Sequence, residues 1–243
     1  MCQVIQLRDI DVVVLCGGLG TRLWSVASDR PKVLARLGES TFLDILLHRL
    51  FSSGFERIVL CVGHMKEQVE EHIKRHNCEN INISRESLPL GTGGALKNAM
   101  SLVQSDPFIV MNGDSVCAVD FESFVRFHLE KDSLLSIAVC LGSRDSCDFG
   151  TVVLNDELRV LSFIERLSIS DNIGYVNAGV YLVQRGALSY APDQDIFSLE
   201  RDFFPSIVNS GRCFGFLVEG NVLDIGTPEG YKRALKFFEE RGV

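Results

Sequence analysis

The sequence predicts an α/β fold: a Rossmann-like, three-layer arrangement with a mostly parallel sheet, helices on both of its faces, and a small antiparallel region attached. Two observations carry this expectation. Short apolar runs alternate with amphipathic stretches through the first half of the chain, and the second half turns to closely spaced strand-like runs. Alternation of strands and helices implies a parallel sheet covered on both sides, with ligands bound beyond the carboxyl ends of its strands.

The elements follow in order. VVVL at 12–15, IVLCV at 58–62, FIVMN at 108–112 and LLSIAVCL at 134–141 are uninterrupted apolar runs of strand length, as buried strands require. Residues 41–53 place Phe42, Ile45, Leu46, Arg49 and Leu50 at helical spacing with a largely apolar face, whereas 66–76 reads as a polar, solvated helix. The runs at 149–154, 160–165 and 176–183 are further strands, expected to form the smaller, partly antiparallel region that closes over the end of the sheet. Helices return at 199–208 and 227–240, the last stopping before Gly242.

Composition narrows the function. With 243 residues, 46% of them hydrophobic, the chain is long enough for a large core, and no linker-like tract or fixed-period repeat divides it, so residues 1–243 are expected to be one domain. A formal charge of -8 argues against a nucleic-acid partner, which needs clustered Lys and Arg, so any phosphate chemistry must rest on a few placed cations. No apolar run approaches the roughly 20 residues of a membrane span, and the first residues lack the features of a signal peptide, which points to a cytoplasmic protein with no membrane partner. The eight cysteines are scattered without a C-x-x-C pair, several inside apolar runs, where the residue acts as a small hydrophobe.

The chemistry begins after the first strand, in Leu15-Cys16-Gly17-Gly18-Leu19-Gly20-Thr21-Arg22-Leu23, followed by Arg30-Pro31-Lys32. Glycines after a strand allow close backbone approach, and successive N–H groups can form a nest for anionic oxygens, with Arg22 and Lys32 adding positive charge. Alone, such a cluster is often just a tight turn, and it matches neither a Walker loop nor a complete dinucleotide fingerprint.

In combination, G-G-x-G-T-R-L with the following P-K resembles the signature of the sugar-1-phosphate nucleotidyltransferases, also called nucleoside-diphosphate-sugar pyrophosphorylases. The resemblance continues in order through Pro89-Leu90-Gly91-Thr92-Gly93-Gly94-Ala95, Asn112-Gly113-Asp114, Phe149-Gly150-Thr151-Val152, Phe163-Ile164-Glu165-Arg166, Asn177-Ala178-Gly179-Val180-Tyr181 and Asp224-Ile225-Gly226-Thr227-Pro228-Glu229, covering residues 11–236. Within the family, the chain is most similar to the short D-glycero-D-manno-heptose 1-phosphate guanylyltransferases, which share L-C-G-G-L-G-T-R-L and P-L-G-T-G-G-A. The resemblance implies the nucleotide-diphospho-sugar transferase fold, without the C-terminal β-helix that some relatives carry, and a reaction joining a nucleoside triphosphate to a sugar 1-phosphate with release of pyrophosphate.

It also implies roles. Leu15, Gly17, Gly18, Gly20, Thr21, Glu86, Pro89, Gly91 and Thr92 would bind the nucleotide; Arg22 would support the leaving pyrophosphate; Lys32 would approach the α-phosphate. Asp114 and Asp224, each after a strand end, would hold Mg²⁺, which takes hard oxygen ligands. Gly150, Glu165, Arg166 and Asn177 match the sugar-phosphate half, where Glu165-Arg166-Leu167 departs from the family's usual Glu-Lys and would grip phosphate with a planar fork. His72 and His76, at i,i+4 on the polar helix, belong to no family motif and read as part of a solvated face.

Glu86 carries an expectation about the base. It stands three residues before Pro89, where uridine- and thymidine-using relatives commonly carry glutamine. A carboxylate only accepts hydrogen bonds, which suits the adjacent N1–H and N2–H donors of guanine, and GTP is therefore the expected nucleotide. Mannose-1-phosphate guanylyltransferase, a uridylyl-, thymidylyl- or cytidylyltransferase, and a non-enzymatic nucleotide-sugar-binding regulatory subunit are the alternatives, with homo-oligomerisation left open.

Overall fold

The computed structural model describes residues 5–18, 20, 23, 29–76, 80–142, 150–164 and 174–240. Strand β1 (Asp11–Leu15) leads to a short hairpin, β2 (Arg36–Leu37) and β3 (Ser40–Thr41), and helix α1 (Phe42–Ser52). There follow β4 (Arg57–Val62), α2 (Lys66–Arg75), β5 (Ile81–Arg85), α3 (Gly91–Ala99), β6 (Phe108–Asn112), β7 (Ser115–Val116) and α4 (Phe121–Glu130). The remainder comprises β8 (Leu135–Leu141), β9 (Thr151–Leu154), β10 (Val160–Ile164), β11 (Tyr175–Val183), α5 (Phe204–Asn209), β12 (Cys213–Leu217), β13 (Leu223–Asp224) and α6 (Pro228–Glu239).

One sheet organises these elements. Strands β6, β1, β4 and β5 lie side by side and parallel, with Val13 opposite both Val59 and Val110. The nine-residue β11 then enters antiparallel to β6 and passes the sheet on to β8, β9 and β10. The antiparallel strands expected over one end are thus a continuation of the main sheet. A register shift between Asn177 and Tyr181 divides β11, whose first part faces β8 and β9 and whose second part faces β8 and β6.

Alternation along β1 shows why both faces need helices. Val12 and Val14 point into one apolar cluster with Leu46 and Leu50 of α1, Val69 and Ile73 of α2, and Phe124 of α4. Val13 points into the other, with Ala95, Leu96 and Ala99 of α3 and Phe204 and Ile207 of α5. All three valines are fully buried, which is the three-layer core predicted from the uninterrupted apolar run. A third cluster joins Leu23, Phe42, Ile225, Ala234 and Phe238, seating α6 against the loop that follows β1.

Helix ends are set locally. Thr41 caps α1 in a reciprocal capping box with Asp44, and the Thr227 hydroxyl caps α6 by accepting from Gly230 N–H, with Pro228 in the first helical position. The stretch expected as one helix at 199–208 is divided: Leu199–Phe203 forms a wide π-type turn, and α5 begins at Phe204. The described cysteines Cys16, Cys61, Cys117, Cys140 and Cys213 are free thiols in the interior, as their apolar neighbours predicted. Among the described residues, no helix is long and apolar enough to cross a membrane.

Candidate active site

A cavity of about 440 Å³ opens at the carboxyl ends of β1, β5 and β6, the edge where the fold class places ligands. Its lining includes Leu15, Gly17, Gly18, Gly20, Lys32, Glu86, Pro89, Gly91, Thr92 and Asp114, all of them expected from the sequence to serve nucleotide or metal. Thr21, Arg22, Glu165 and Arg166 lie outside the described residues.

One end of the cavity is built around Glu86. The residue follows β5, its N–H donates to Val62 O, and it is only 7% exposed. Its carboxylate accepts from Leu90 N–H at 3.2 Å through Oε2. Oε1 lies against the loop after β1, so closely that a Cβ on Gly17 would sit 2.6 Å from it. Glycine at 17 is therefore needed for the carboxylate to reach the backbone of the loop. Burial pushes the Glu86 carboxyl above its ordinary range, against the opposing pull of the Leu90 N–H and the Lys66 charge. A group in that state gains from a ligand that donates to it.

The other end is polar and half open. Asp114 follows β6, and its Oδ2 accepts from Lys32 Nζ at 2.5 Å, their side chains being 31% and 13% exposed. Asp224 arrives from the far end of the chain because β13 pairs with β7, setting Asp224 opposite Ser115, while Ile225 N–H donates to Asp114 O. The Asp224 carboxylate accepts from Gly226 N–H. A Cβ on Gly226 would fall 2.6 Å from Asp224 Oδ1 and 2.7 Å from Lys32 Nζ, so both groups converge on this glycine. Two carboxylates around a single ammonium leave excess negative charge on hard oxygens. That donor set suits a Mg²⁺-like cation with coordination sites left for phosphate oxygens and water.

The start of α3 also lines the cavity. Gly91, at φ +75°, turns the chain into the helix, and a Cβ there would meet Phe197 O at 2.5 Å. Thr92 lines the cavity, but its hydroxyl is engaged: it donates to Glu200 Oε2 at 2.8 Å and accepts from Leu199 N–H at 2.9 Å. Glu200 itself borders the cavity, held also by the Ser198 hydroxyl at 2.8 Å. Neither Glu200 nor Asn112, another lining residue, was selected from the sequence. Asn112 adjoins Asp114 within an identified motif, whereas nothing local distinguishes Glu200 from any other acid near a helix start.

The expected sugar-phosphate residues behave differently. Asn177 is 7% exposed and lies away from the cavity lining, with its amide Nδ2 donating to the Tyr181 hydroxyl at 2.7 Å and its Oδ1 accepting from Gly179 N–H at 2.9 Å. Those bonds hold the irregular turn in β11. Gly150 is likewise away from the lining; its carbonyl accepts from Asn177 N–H at 2.8 Å, and a Cβ there would strike the Phe163 ring.

Comparison with known proteins gives the family. The family model described as nucleotidyl transferase matches residues 11–241. The D-glycero-alpha-D-manno-heptose 1-phosphate guanylyltransferase of Aneurinibacillus thermoaerophilus is 31% identical over 228 residues, spanning 93% of this chain and 97% of that one. The mannose-1-phosphate guanylyltransferase of Mycobacterium tuberculosis is 29% identical over 230 residues, 93% of this chain and 64% of that one. Among solved structures, HddC from Yersinia pseudotuberculosis complexed with GMP-PN superposes with a TM-score of 0.82 at 34% identity, covering 94% of this chain and 99% of that one. With the match running from the first strand to beyond the last helix, and the cavity in the place the motifs predict, the chain belongs to the nucleotidyl transferase family.

Proposed function

We propose that the chain is a guanylyltransferase that joins GTP to a sugar 1-phosphate, with D-glycero-D-manno-heptose 1-phosphate as the favoured acceptor, and releases pyrophosphate. The observation that carries the choice of nucleotide is the buried Glu86 carboxylate at the closed end of the cavity. Guanine offers N1–H and N2–H side by side, and Oε1 together with the remaining lone pair on Oε2 can accept both. Each charge-assisted bond is worth roughly 1.5 to 3 kcal/mol. Uracil would set a carbonyl against the same group.

In the reaction, an oxygen of the sugar phosphate attacks the α-phosphorus; a new P–O bond forms, the bond to the bridging oxygen breaks, and its electron pair leaves with pyrophosphate. No protein nucleophile is required. The Cys16 thiol, which also lines the cavity, is pushed up to about 12 by burial and by the charge of Asp114, so it stays protonated. The task is to bring two anions together and to stabilise the charge that moves. Backbone N–H groups of Gly17, Gly18 and Gly20 would cradle phosphate oxygens, and Lys32, steered by Asp114, would present its ammonium to the α-phosphate. Asp114 and Asp224 would hold Mg²⁺, which when bound supplies charge neutralisation at the phosphates. Arg22 would meet the pyrophosphate, and Glu165 and Arg166 the sugar phosphate. On this reading, residues 1–243 act as one catalytic domain in the cytoplasm.

The decisive test is a matrix of four nucleoside triphosphates against heptose, mannose and glucose 1-phosphates, read by magnesium-dependent pyrophosphate release. GTP with the heptose should lead. A lead for UTP, TTP or CTP would overturn the base assignment, a lead for mannose 1-phosphate would reassign the acceptor, and no release with any pair would favour a nucleotide-sugar-binding regulator.

A further inference from the structure

The polar helix α2 was expected to present a solvated face, yet the fold brings it against the first turn of α1. There His72 Nε2 lies 2.7 Å from Asp44 Oδ1, and His76 Nε2 lies 3.9 Å from the same oxygen. The two imidazole centroids are 4.7 Å apart. One ring nitrogen of each histidine and a carboxylate oxygen of Asp44 fall within 4.8 Å of one another. None of the three residues lines the nucleotide cavity.

We propose that Asp44, His72 and His76 form a second cation site, one that takes a borderline transition-metal ion such as Zn²⁺ and ties α1 to α2. The chemistry of the donors supports this choice. Two imidazole nitrogens and one carboxylate oxygen suit Zn²⁺ and not Mg²⁺, which prefers oxygen alone. Tetrahedral coordination with bonds of about 2.0 Å puts neighbouring ligand atoms about 3.3 Å apart, and the two N···O separations given above bracket that distance. Water would complete the fourth position.

The carboxylate is also prepared for the task. Asp44 Oδ2 accepts from Thr41 N–H at 2.9 Å and from the Thr41 hydroxyl at 2.6 Å, which fixes the side chain and turns Oδ1 toward the imidazoles. A simple ion pair would need only one histidine. Here a second imidazole, one helical turn on, is directed to the same oxygen, the arrangement that an ion shared by both rings requires.

The test is a titration of the full chain with Co²⁺ in excess Mg²⁺, followed by its visible absorption, then displacement by Zn²⁺. One tetrahedral Co²⁺ per chain is expected, and a hundredfold excess of Zn²⁺ over its Kd should raise Tm by about 5 to 10 °C. His76→Ala, which removes an exposed side chain, should weaken Co²⁺ binding by at least about tenfold and abolish the Zn²⁺ shift. His72→Gln should do the same, whereas Asp114→Asn should leave both readouts unchanged, separating this site from the carboxylates of the cavity. Absence of Co²⁺ binding up to millimolar concentration, or binding that His76→Ala and His72→Gln both leave intact, would overturn the assignment.

Discussion

The two ends of the cavity hold carboxylates in opposite circumstances. Glu86 is buried, bonded to one backbone N–H, and raised above its usual range by desolvation, while Asp114 sits in a half-open mouth against the ammonium of Lys32 with Asp224 close by. A dry carboxylate is selective, because any ligand that buries it without donating leaves a charge uncompensated. A wet, paired carboxylate discriminates little but exchanges partners readily, as metal and phosphate ligands that come and go with each turnover demand. Under the proposed function, recognition and charge handling fall at separate ends, so substitutions at the two should fail in different ways.

The largest effect is expected at the open end. Asp114→Asn or Asp224→Asn should lower turnover by about a hundredfold or more, with Tm nearly unchanged, since each keeps its shape and loses only charge. Turnover at limiting Mg²⁺ beside a melting curve checks this, and near-normal rates in both variants would remove the metal assignment. Lys32→Ala should cost on the order of tenfold to a hundredfold in turnover, again without unfolding, because the side chain meets carboxylates at the mouth and not the core. An equal loss of stability and activity would make Lys32 structural.

The closed end should lose discrimination before rate. Glu86→Gln should reduce kcat/KM for GTP by about tenfold, the equivalent of one charge-assisted bond, and narrow the lead over UTP. An unchanged nucleotide profile would show that the base is read elsewhere. The smallest effect concerns stability and pH. Because the folded Glu86 carboxyl is raised, the native chain holds its proton to higher pH than the unfolded chain does, so this residue's contribution to stability falls as pH rises from the unfolded value through the raised folded one. Glu86→Gln should therefore raise the Tm of the ligand-free protein near neutral pH by about 1 to 3 °C while weakening GTP use. In the wild type, acidification through the raised value should protonate Glu86 and erode the preference for GTP. A melting series and a nucleotide-competition series across pH test both halves of this expectation.

The position at the cavity of the residues expected to bind nucleotide was partly legible from the sequence because some of their signals are local. Gly17, Gly18 and Gly20 directly follow β1, which the apolar run at 12–15 marks, whereas Glu86 and Pro89 to Thr92 are reached through the family motif, since β5 and α3 are not marked by a comparable apolar run. The surroundings of the residues expected to serve the sugar phosphate were less legible. Motif position alone could not reveal that Asn177 spends both ends of its amide on Tyr181 and Gly179, since the turn it holds arises from β11 changing partners. The division of 199–208 into a wide turn and α5 was hidden for a related reason: the Thr92 hydroxyl engages Leu199 N–H across 107 positions and Glu200 across 108.

By itself the sequence determined which runs are buried strands in the first half of the sheet and where glycines allow close backbone approach, because periodicity and glycine placement act over a few residues. Tertiary structure decided which charges meet. Lys32 reaches Asp114 across 82 positions, Asp224 joins them through the β13 to β7 pairing, and Asp44 finds His72 across 28 positions only because two helices pack on the same face of the sheet. Strand order and helix packing are collective properties of the core, and the strengths of these charged groups as ligands follow from the neighbours that order supplies.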